Sequence, residues 1–364
     1  MTNILHLIDT AGPGGAETVF RNIVTRLDRI KYRSIALITR NGWLHDSLMK
    51  GQVAVRILNN KGSFNIRYLF RLLKVVRGEH IDLIHAHLLG SGVYGVLAGL
   101  LCRRPVIVTL HGIADLQGER FIRVKLFVLH KYASVLVVVS DNLKQYMITT
   151  YGIKADRIQV IHNGVAAGQQ AASSDVAKSD KAIFKVGLVG NIRPAKDYFT
   201  LLKVAARLRQ LDDRFEFLVA GQGKGELWQQ LHDYRAQLRL DDRVSFLGFC
   251  DDVSSFMDGM DIFLLTSSSE GFSIVVIEAM TQGLPVVATR CGGPEEIITD
   301  KVDGLLIEAG DVEGIAAALS RLADDPMLRS TLGVAGRQTV QKRFTMDAMM
   351  DRYHHLYDKS LPLV

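Results

Sequence analysis

Apolar residues in this chain fall into short runs that alternate with longer stretches in which apolar positions recur every three or four residues. The short runs are typical of buried strands, and the longer stretches are typical of helices. Strands that alternate with helices predict an α/β fold with a doubly wound parallel sheet. In the first half, the predicted strands are Ile4–Ile8, Ser34–Thr39, Val55–Leu58, Asp82–Ala86, Val106–Leu110, Val135–Ser140 and Gln159–His162, and the clearest helices are Glu17–Leu27, Ile66–Arg77 and Phe121–Tyr132.

The alternation stops at residues 166–181, which are small, polar and without periodicity, and then begins again. Such a composition predicts a flexible linker. We therefore predict two facing Rossmann-like domains, residues 1–165 and 182–343. Ligands of such sheets bind at the carboxyl ends of the strands, so we expect the functional site in the cleft between the domains. The second series of predicted strands is Phe184–Val189, Phe215–Ala220, Val244–Leu247, Ile262–Leu265, Pro285–Thr289 and Gly304–Ile307.

The composition supports a soluble globular protein, with 48% hydrophobic and 23% charged residues over a length of 364. This length favours two domains over a single core. No apolar run approaches the roughly 18 residues of a membrane span, and the N-terminus lacks the basic segment of a signal peptide. The cysteines are far apart, at Cys102, Cys250 and Cys291, which argues against disulfides or a thiolate zinc site and indicates a reducing, cytoplasmic location.

Charge is distributed unevenly along the chain. Residues 1–165 carry 22 basic and 10 acidic side chains, so the remainder carries 22 and 28 of the totals of 44 and 38. The basic half should face an anionic partner, and we expect it to dock peripherally on the inner face of the cell membrane. The alternative is a basic face that only keeps the domain soluble. The residues that suggest docking are Arg67, Arg71, Lys74 and Arg77 with the apolar Phe64, Ile66, Leu69, Phe70 and Leu73, and a second basic segment with Arg120, Arg123, Lys125 and Lys131.

The segment from Glu270 to Gly293 is the most informative part of the sequence. Glu270 follows an apolar strand-like run, and Ser273 is placed to cap the helix that comes next. The free backbone N–H groups at the start of that helix would favour an anion. Glu278 lies in an apolar run, so we expect a polar partner for it, either a protein donor or the hydroxyls of a ligand. The alternative is that one carboxylate is a cap and the other an ordinary helix residue.

Three loops at predicted strand ends have residues suited to phosphate. Glycines 12, 14 and 15 precede a helix, where backbone N–H groups can approach a phosphate, although a plain turn is the alternative. The second loop, residues 190–197, places Arg193 and Lys196 beside a helix start, an arrangement suited to a diphosphate or, alternatively, a solvated charge pair. The third loop, Gly221–Gly225, lacks the acidic residue of a nucleotide motif, which favours a plain turn.

Histidines occur at two strand ends. His85 and His87 share one face of a strand, a spacing that a metal site can use, but no nearby carboxylate or cysteine completes a ligand set, so a structural role is favoured. His111 lies where an apolar strand ends in glycine. This end should face the cleft, which favours a functional role for His111.

Together these segments resemble the retaining glycosyltransferases of family 4, which have the GT-B fold. The resemblance covers nearly the whole chain, and the order of the segments makes it specific. It also implies that the tail, Phe344 to Tyr357, is the helix that crosses back onto the first domain. The matching segments are Gly14-Gly15-Ala16-Glu17, Thr109-Leu110-His111-Gly112, Ile161-His162-Asn163-Gly164-Val165, residues 190–197, Glu270 to Glu278, and Gly283-Leu284-Pro285-Val286-Val287-Ala288.

The resemblance implies a nucleotide-diphosphate sugar donor, UDP- or GDP-linked, and a lipid-linked or saccharide acceptor in polysaccharide or glycolipid synthesis. Asn191 stands where the commoner family pattern has arginine, and Arg193 comes two residues later. The implied roles are ribose binding by Glu278, contact with the donor sugar by Glu270 and the amides of Gly271, Phe272 and Ser273, diphosphate binding by Arg193 and Lys196 beside Asn191, approach to the diphosphate by Gly14 and Gly15, and a position beside the transferred sugar for His111.

The chemistry fits these roles without a cofactor or metal. Negative charge grows on the diphosphate as the anomeric bond breaks, and Arg193, Lys196 and a helix N-terminus can stabilise it. No paired-aspartate metal motif is evident in the sequence. The alternatives are a GT-B sugar-nucleotide epimerase, a non-catalytic nucleic-acid binder suggested by the isoelectric point of about 9.1, and an inactive scaffold. No nucleic-acid motif supports the second of these, and the presence of both carboxylates and Lys196 disfavours the third.

Overall fold

The computed structural model describes residues 1–60, 65–166 and 183–361. The chain divides into two compact units, Met1–Asn163 with Asp347–Val364, and Gly164–Met346. Most of the predicted linker, residues 167–181, lies outside the described residues. Within the described part of the chain, no helix has the length and apolar character needed to cross a bilayer.

The first unit contains a seven-stranded parallel sheet in the order β3-β2-β1-β4-β5-β6-β7. The order reverses between β1 and β4, so loops leave the carboxyl ends of these neighbours in opposite directions and open a crevice there. The strands are β1 Thr2–Ile8, β2 Tyr32–Ile38, β3 Ala54–Ile57, β4 Leu83–His87, β5 Val106–Leu110, β6 Val135–Val138 and β7 Ile158–Val160, and the helices are α1 Gly15–Arg26, α2 Trp43–Lys50, α3 Ile66–Gly78, α4 Leu89–Cys102, α5 Ile122–Tyr132 and α6 Asp141–Tyr151.

The second unit contains a six-stranded parallel sheet in the order β10-β9-β8-β11-β12-β13, with its reversal between β8 and β11. The strands are β8 Phe184–Val189, β9 Phe215–Ala220, β10 Val244–Gly248, β11 Ile262–Leu265, β12 Val286–Arg290 and β13 Leu305–Glu308, and the helices are α7 Tyr198–Leu211, α8 Gly225–Gln237, α9 Val253–Asp258, α10 Ile274–Gln282, α11 Pro294–Ile297, α12 Val312–Asp324 and α13 Pro326–Arg343. The two sheets confirm the predicted pair of doubly wound α/β folds.

The last helix, α14 at Met346–Ser360, packs on the sheet of the first unit. Its Tyr353 and Tyr357 are fully buried, and the Tyr357 hydroxyl lies 2.7 Å from His85 Nδ1 on β4. At its end, Asp358 accepts hydrogen bonds from Tyr32 and Lys31. The tail is therefore part of the packing of this unit.

Side chains alternate between the two faces of the first sheet, and this alternation places the candidate site. On β1, Leu5 and Leu7 belong to the large apolar core, so His6 points to the opposite face. The register pairs His6 with His85 and His87 with Thr109, and all four side chains are buried. Three neighbouring strands thus direct polar side chains to one face near the reversal of strand order.

Candidate active site

The strongest charged contact at the second reversal joins the loops that follow β8 and β11. Lys196 Nζ lies 2.6 Å from Glu270 Oε1, and the two side chains are only 20% and 13% exposed. Ser267 Oγ donates to the same carboxylate oxygen at 2.6 Å. Lys196 ends a short 3₁₀ turn, Pro194–Lys196. The sheet topology thus joins two residues that are far apart in sequence into one partly buried ion pair.

The backbone around Glu270 is held in place on both sides. The Glu270 N–H donates to the Cys291 carbonyl at 3.0 Å, and the Gly293 N–H donates to the Glu270 carbonyl at 3.2 Å. A Cβ on Gly293 would lie only 3.0 Å from the Phe272 Cα, so a larger residue would have to move these two closely approaching loops apart. The carboxylate is therefore fixed by its own main chain as well as by Lys196.

Two titratable groups beside this ion pair, the Cys291 thiol and the Tyr198 hydroxyl, remain uncharged. Burial, assisted by the charge of Glu270, raises the pKa of the Cys291 thiol to about 12. Burial, again assisted by Glu270, also raises the pKa of the Tyr198 hydroxyl well above its ordinary value, and this hydroxyl donates to the Gly190 carbonyl at 2.6 Å. Neither group is a nucleophile at neutral pH, which leaves Lys196 and Glu270 as the charged pair at this point.

Glycine is required where Lys196 approaches β8. Gly190 has a φ of 157°, and a Cβ there would lie 2.9 Å from Lys196 Cε. A larger residue would displace the lysine from its place beside Glu270. This is a local reason for the glycine that opens the loop of residues 190–197.

The other two predicted residues of this loop differ in their surroundings. Arg193 is exposed and forms no ion pair with any residue that the structure describes. Asn191 Oδ1 accepts a hydrogen bond from the Gln222 N–H at 3.0 Å, so it connects this loop to Gly221–Gly225. Arg193 is thus available to a ligand, whereas the Asn191 side chain already has a protein partner.

The start of α10 leaves a polar group without a partner. Ser273 precedes the helix, but its side chain makes no capping hydrogen bond, so the predicted cap is wrong. Its hydroxyl is buried, with the residue 2% exposed, and has no hydrogen-bond partner among the described residues. A helix N-terminus and a buried, unpaired hydroxyl lie directly beside Glu270, an arrangement suited to a polar or anionic ligand.

Two further predicted residues lie on either side of Ser273 in the sequence, Phe272 before it and Glu278 after it. Phe272 is buried, and its ring packs edge-on against Phe344 at a centroid distance of 5.4 Å. Glu278 lies on α10 and is half-buried, so it is not in the dry core that its apolar sequence neighbours indicate. The helix turns these neighbours, Ile277 and Ala279, into the core and leaves the Glu278 side chain partly open to solvent.

At the first reversal, the structure brings together histidines from β1, β4 and the residue that follows β5. His85 Nε2 lies 2.8 Å from Thr109 Oγ1, and His87 Nδ1 lies 3.0 Å from Nε2 of the half-buried His111. His6 was missed by the sequence analysis, although alternation along β1 places it on the same face as His85. Neither ring nitrogen of His6 has a partner among the described residues.

Burial keeps this cluster neutral at physiological pH. It lowers the pKa of His6 to about 3 and that of His111 to about 4, and it lowers the pKa values of His85 and His87 in the same direction. Mutual repulsion between the rings adds to the shifts of His85 and His87. The cluster can therefore offer hydrogen bonds but not positive charge.

The cluster is a weak candidate for a metal site. Ring nitrogens of His6, His85 and His87 lie within 4.8 Å of one another. Both nitrogens of His85 are already engaged by the hydroxyls of Tyr357 and Thr109. No carboxylate or thiolate in the described residues belongs to this group to balance a buried divalent charge.

The glycine loop of the first unit lies at the same end of its sheet. Gly14 adopts an extended conformation directly before α1, which begins at Gly15. A Cβ on Gly14 would lie 2.4 Å from a carboxylate oxygen of Glu17. The chain therefore enters α1 through glycine, as a close backbone approach to a phosphate requires, and Glu17 is held against this turn.

Two family models match consecutive parts of the chain. Residues 13–168 match the model described as Glycosyltransferase Family 4, and residues 170–339 match the model described as Glycosyl transferases group 1. The boundary between the two matches falls close to the division between the two units.

Relatives of known name are similar to large parts of the chain. A D-inositol 3-phosphate glycosyltransferase of Saccharomonospora viridis is 31% identical over 75% of this chain and 70% of its own length. A UDP-Gal:alpha-D-GlcNAc-diphosphoundecaprenol alpha-1,3-galactosyltransferase of Escherichia coli is 26% identical over 80% and 79%. The lipopolysaccharide core biosynthesis glycosyltransferase LpsE of Rhizobium meliloti is 34% identical over 55% of this chain. The match spans only 57% of the length of LpsE.

A solved structure agrees over the whole length. The crystal structure of Anabaena HepE in complex with UDP has a TM-score of 0.84 and 25% sequence identity, covering 99% of this chain and 100% of HepE. This similarity confirms the GT-B fold that the sequence predicts. The two family models, the S. viridis relative and the HepE structure together show that the chain belongs to glycosyltransferase family 4.

Proposed function

We propose that the protein is a retaining glycosyltransferase that moves a sugar from a nucleotide-diphosphate sugar to a lipid-linked or saccharide acceptor in the synthesis of a cell-surface polysaccharide or glycolipid. The observation that carries the proposal is the partly buried Lys196–Glu270 pair beside the unpaired Ser273 hydroxyl and the start of α10. Charge, a free donor and helix N–H groups converge there, as a departing diphosphate requires.

Each residue at this reversal has a distinct task in the proposed reaction. Lys196 and the exposed Arg193 neutralise the charge that grows on the diphosphate. Glu270 orients the lysine through their ion pair and faces the sugar, on which positive charge develops. Glu278 accepts hydrogen bonds from the ribose hydroxyls. The acceptor's proton passes to the departing phosphate, so no protein nucleophile or base is required.

Nucleotide binding can be tested before the acceptor is known. We would measure thermal stability with a panel of UDP- and GDP-sugars, since a ligand at 100 times its Kd adds about 2.7 kcal/mol of stability. Stabilisation by one nucleotide sugar, lost in Arg193→Ala but kept in Lys224→Ala, is the expected result. Lys224 is a suitable control because it is exposed in the neighbouring loop. No response to any nucleotide sugar would contradict the proposal.

The products distinguish transfer from epimerisation. With donor alone, a transferase leaves the sugar configuration unchanged, whereas an epimerase converts the donor into its epimer. With an acceptor extract, retention of the anomeric configuration in the product is expected. Conversion of the donor without an acceptor would favour the epimerase.

The acceptor assignment is supported by a surface of the first unit. Helix α3 packs against α4, and α4 packs against α5, so these helices cover one face of the sheet. Leu69 and Leu73 are buried, whereas Phe64 lies outside the described residues. We call the remaining exposed groups the α3–α5 surface: the apolar Ile66, Phe70, Phe121, Val124 and Phe127, and the basic Arg67, Arg71, Lys74, Arg77, Arg120, Arg123 and Lys131.

We propose that the α3–α5 surface binds an anionic lipid bilayer. Seven exposed cations and five large apolar side chains on one face combine the charge and the insertion that a peripheral membrane protein needs. Each cation near an anionic leaflet contributes about 1 kcal/mol, and salt screens it. Lys125 contributes less, because Glu119 already pairs with it.

Co-sedimentation with vesicles tests this surface. Binding to anionic vesicles should be lost in high salt and in the triple variant Arg67→Glu, Arg71→Glu, Lys74→Glu. The matched control reverses three exposed lysines of the second unit, Lys203, Lys224 and Lys342, and should leave binding intact. Equal binding to neutral and anionic vesicles would overturn the assignment.

A further inference from the structure

The contact between His87 and His111 fixes where one proton can lie. His87 Nδ1 and His111 Nε2 are 3.0 Å apart, and the two rings are stacked at an interplanar angle of 20°. Both rings are neutral, because burial lowers both pKa values. A neutral imidazole carries one N–H, so one ring donates along this contact and the other accepts.

The surroundings of His87 decide between the two arrangements. If His111 donates, the single proton of His87 must lie on Nε2, which is buried and has no partner among the described residues. A buried N–H without an acceptor is costlier and rarer than an unpaired lone pair. The ring of Phe20, edge-on to His87 at a centroid distance of 5.1 Å, offers at most a weak N–H···π contact.

We propose that His87 is a positioning residue that donates its Nδ1–H to His111 Nε2 and thereby holds His111 as the Nδ1–H tautomer. The Nδ1 atom of His111 has no hydrogen bond to a described residue. It is also not fully buried, so it reaches the surface of the unit. This step rests on the proposed function and on the place beside the transferred sugar that the family resemblance implies for His111. There, the assignment makes His111 an uncharged donor that recognises a sugar oxygen.

The neighbours of His87 prevent its ring from turning over and exchanging the positions of Nδ1 and Nε2. His87 is held between Phe20 and His85, whose ring centroid is 4.2 Å away. Because His85 is itself fixed by Tyr357 and Thr109, rotation of the His87 ring requires the whole packed group to shift. The same packing that buries His87 therefore orients the His111 donor before any ligand arrives.

Nitrogen NMR of histidine-labelled protein tests the tautomer without any ligand. Protonated and bare ring nitrogens have separate shifts, and the His111 signals can be assigned as those lost in His111→Asn. The expected result is a proton on Nδ1 and a bare Nε2 in His111, with Nδ1 of His87 also protonated. A proton on Nε2 of His111 would overturn the proposal.

Variants of His87 separate positioning from folding. His87→Leu removes the donor, and we expect a mixed His111 tautomer with a roughly fivefold to tenfold loss of kcat/KM, the scale of one hydrogen bond. His87→Asn keeps an amide donor near the Nδ1 position and should retain the tautomer and most of the activity. His6→Leu alters a buried histidine whose ring contacts among the described residues are with Phe20, His85 and Tyr357. It should leave the His111 signals unchanged.

The outcomes also separate this proposal from the proposed function. The kinetic donor is the nucleotide sugar that stabilises the wild type most in the thermal panel. Equal kcat/KM in His87→Leu and wild type would overturn the positioning role even if the tautomer is as assigned. If the wild-type tautomer is Nδ1–H but no nucleotide sugar stabilises the protein, the proposed function fails while the assignment of the proton stands.

Discussion

The reversal of strand order in the second unit carries charge, whereas the reversal in the first carries buried neutral rings. Lys196 and Glu270 form an ion pair at 2.6 Å, and Arg193 stands exposed beside them. In the first unit, burial lowers the pKa values of four histidines below the ordinary value: His6, His85, His87 and His111. The same topology thus serves two different electrostatic purposes.

Under the proposed function, this difference would suit the two ends of a nucleotide sugar. The diphosphate gains negative charge as its bond to the sugar breaks, so preorganised cations favour the transition state. The sugar hydroxyls are neutral, and uncharged donors can orient them without attracting a second phosphate. A comparison of the two regions therefore predicts that charge removal is most damaging in the second unit and that acid is most damaging in the first.

The largest effect is expected from removal of the lysine in the charged region. Lys196→Ala should lower turnover by about 10² to 10³-fold, roughly 3 to 4 kcal/mol, the scale for one preorganised electrostatic group. The measurement is the initial rate at saturating donor. Lys203→Ala is the control, because Lys203 is an exposed lysine on the following helix. Near-wild-type turnover would exclude Lys196 from the diphosphate site.

The next effect concerns acid stability in the neutral region. The folded pKa of His6 is about 3 and its ordinary value is 6.5, so the unfolded chain holds more protons between these values. Stability should therefore be constant above about pH 6.5 and fall as the pH falls below it, by up to about 1.4 kcal/mol per pH unit for each such histidine. His6→Leu should reduce this slope, because it removes an imidazole that takes up a proton on unfolding. The substitution breaks no hydrogen bond to a described residue, since neither ring nitrogen of His6 has one.

Thermal unfolding at pH 7.5 and pH 5 checks the acid prediction. His6→Leu should lose less stability between the two pH values than wild type does. His355→Leu is the control, because His355 is an exposed histidine on α14. Identical acid sensitivity in all three proteins would show that burial of His6 has no energetic consequence.

These two regions were predictable from sequence to different degrees. Strand and helix alternation predicted both sheets, because this signal is local. The order of the strands, and so the place of each reversal, was not predicted. The partnership of Lys196 with Glu270 was not predictable, since the contact depends on β8 and β11 becoming neighbours. His6 could have been found from alternation on β1, but its register with His85 is a property of the sheet.

The surroundings of individual side chains were the least predictable. Glu278 has apolar sequence neighbours but is half-buried, because the turn of α10 separates it from them in space. Ser273 has the residue type and position of a cap but makes no capping hydrogen bond. In both cases the sequence specifies the element, whereas packing determines the direction of the side chain.

A moderate effect is expected from Glu278→Gln. The amide keeps the size but loses the charged acceptor, so affinity for the nucleotide sugar should fall roughly tenfold while the melting temperature changes little. Calorimetric titration and thermal unfolding measure the two quantities. Glu226→Gln, at an exposed position in the first turn of α8, is the control. Normal binding with earlier melting would make Glu278 a structural carboxylate.

The smallest effect is expected from chelation, and it sharpens the comparison most directly. If side chains supply all the countercharge, excess EDTA should leave the transfer rate unchanged. Loss of activity that Mg²⁺ or Mn²⁺ restores would contradict this prediction and place a metal on the diphosphate, since these ions prefer oxygen ligands. Loss that only Zn²⁺ restores would instead indicate imidazole ligands. His6→Leu tests that case, because it removes one member of the histidine group and should then abolish the rescue.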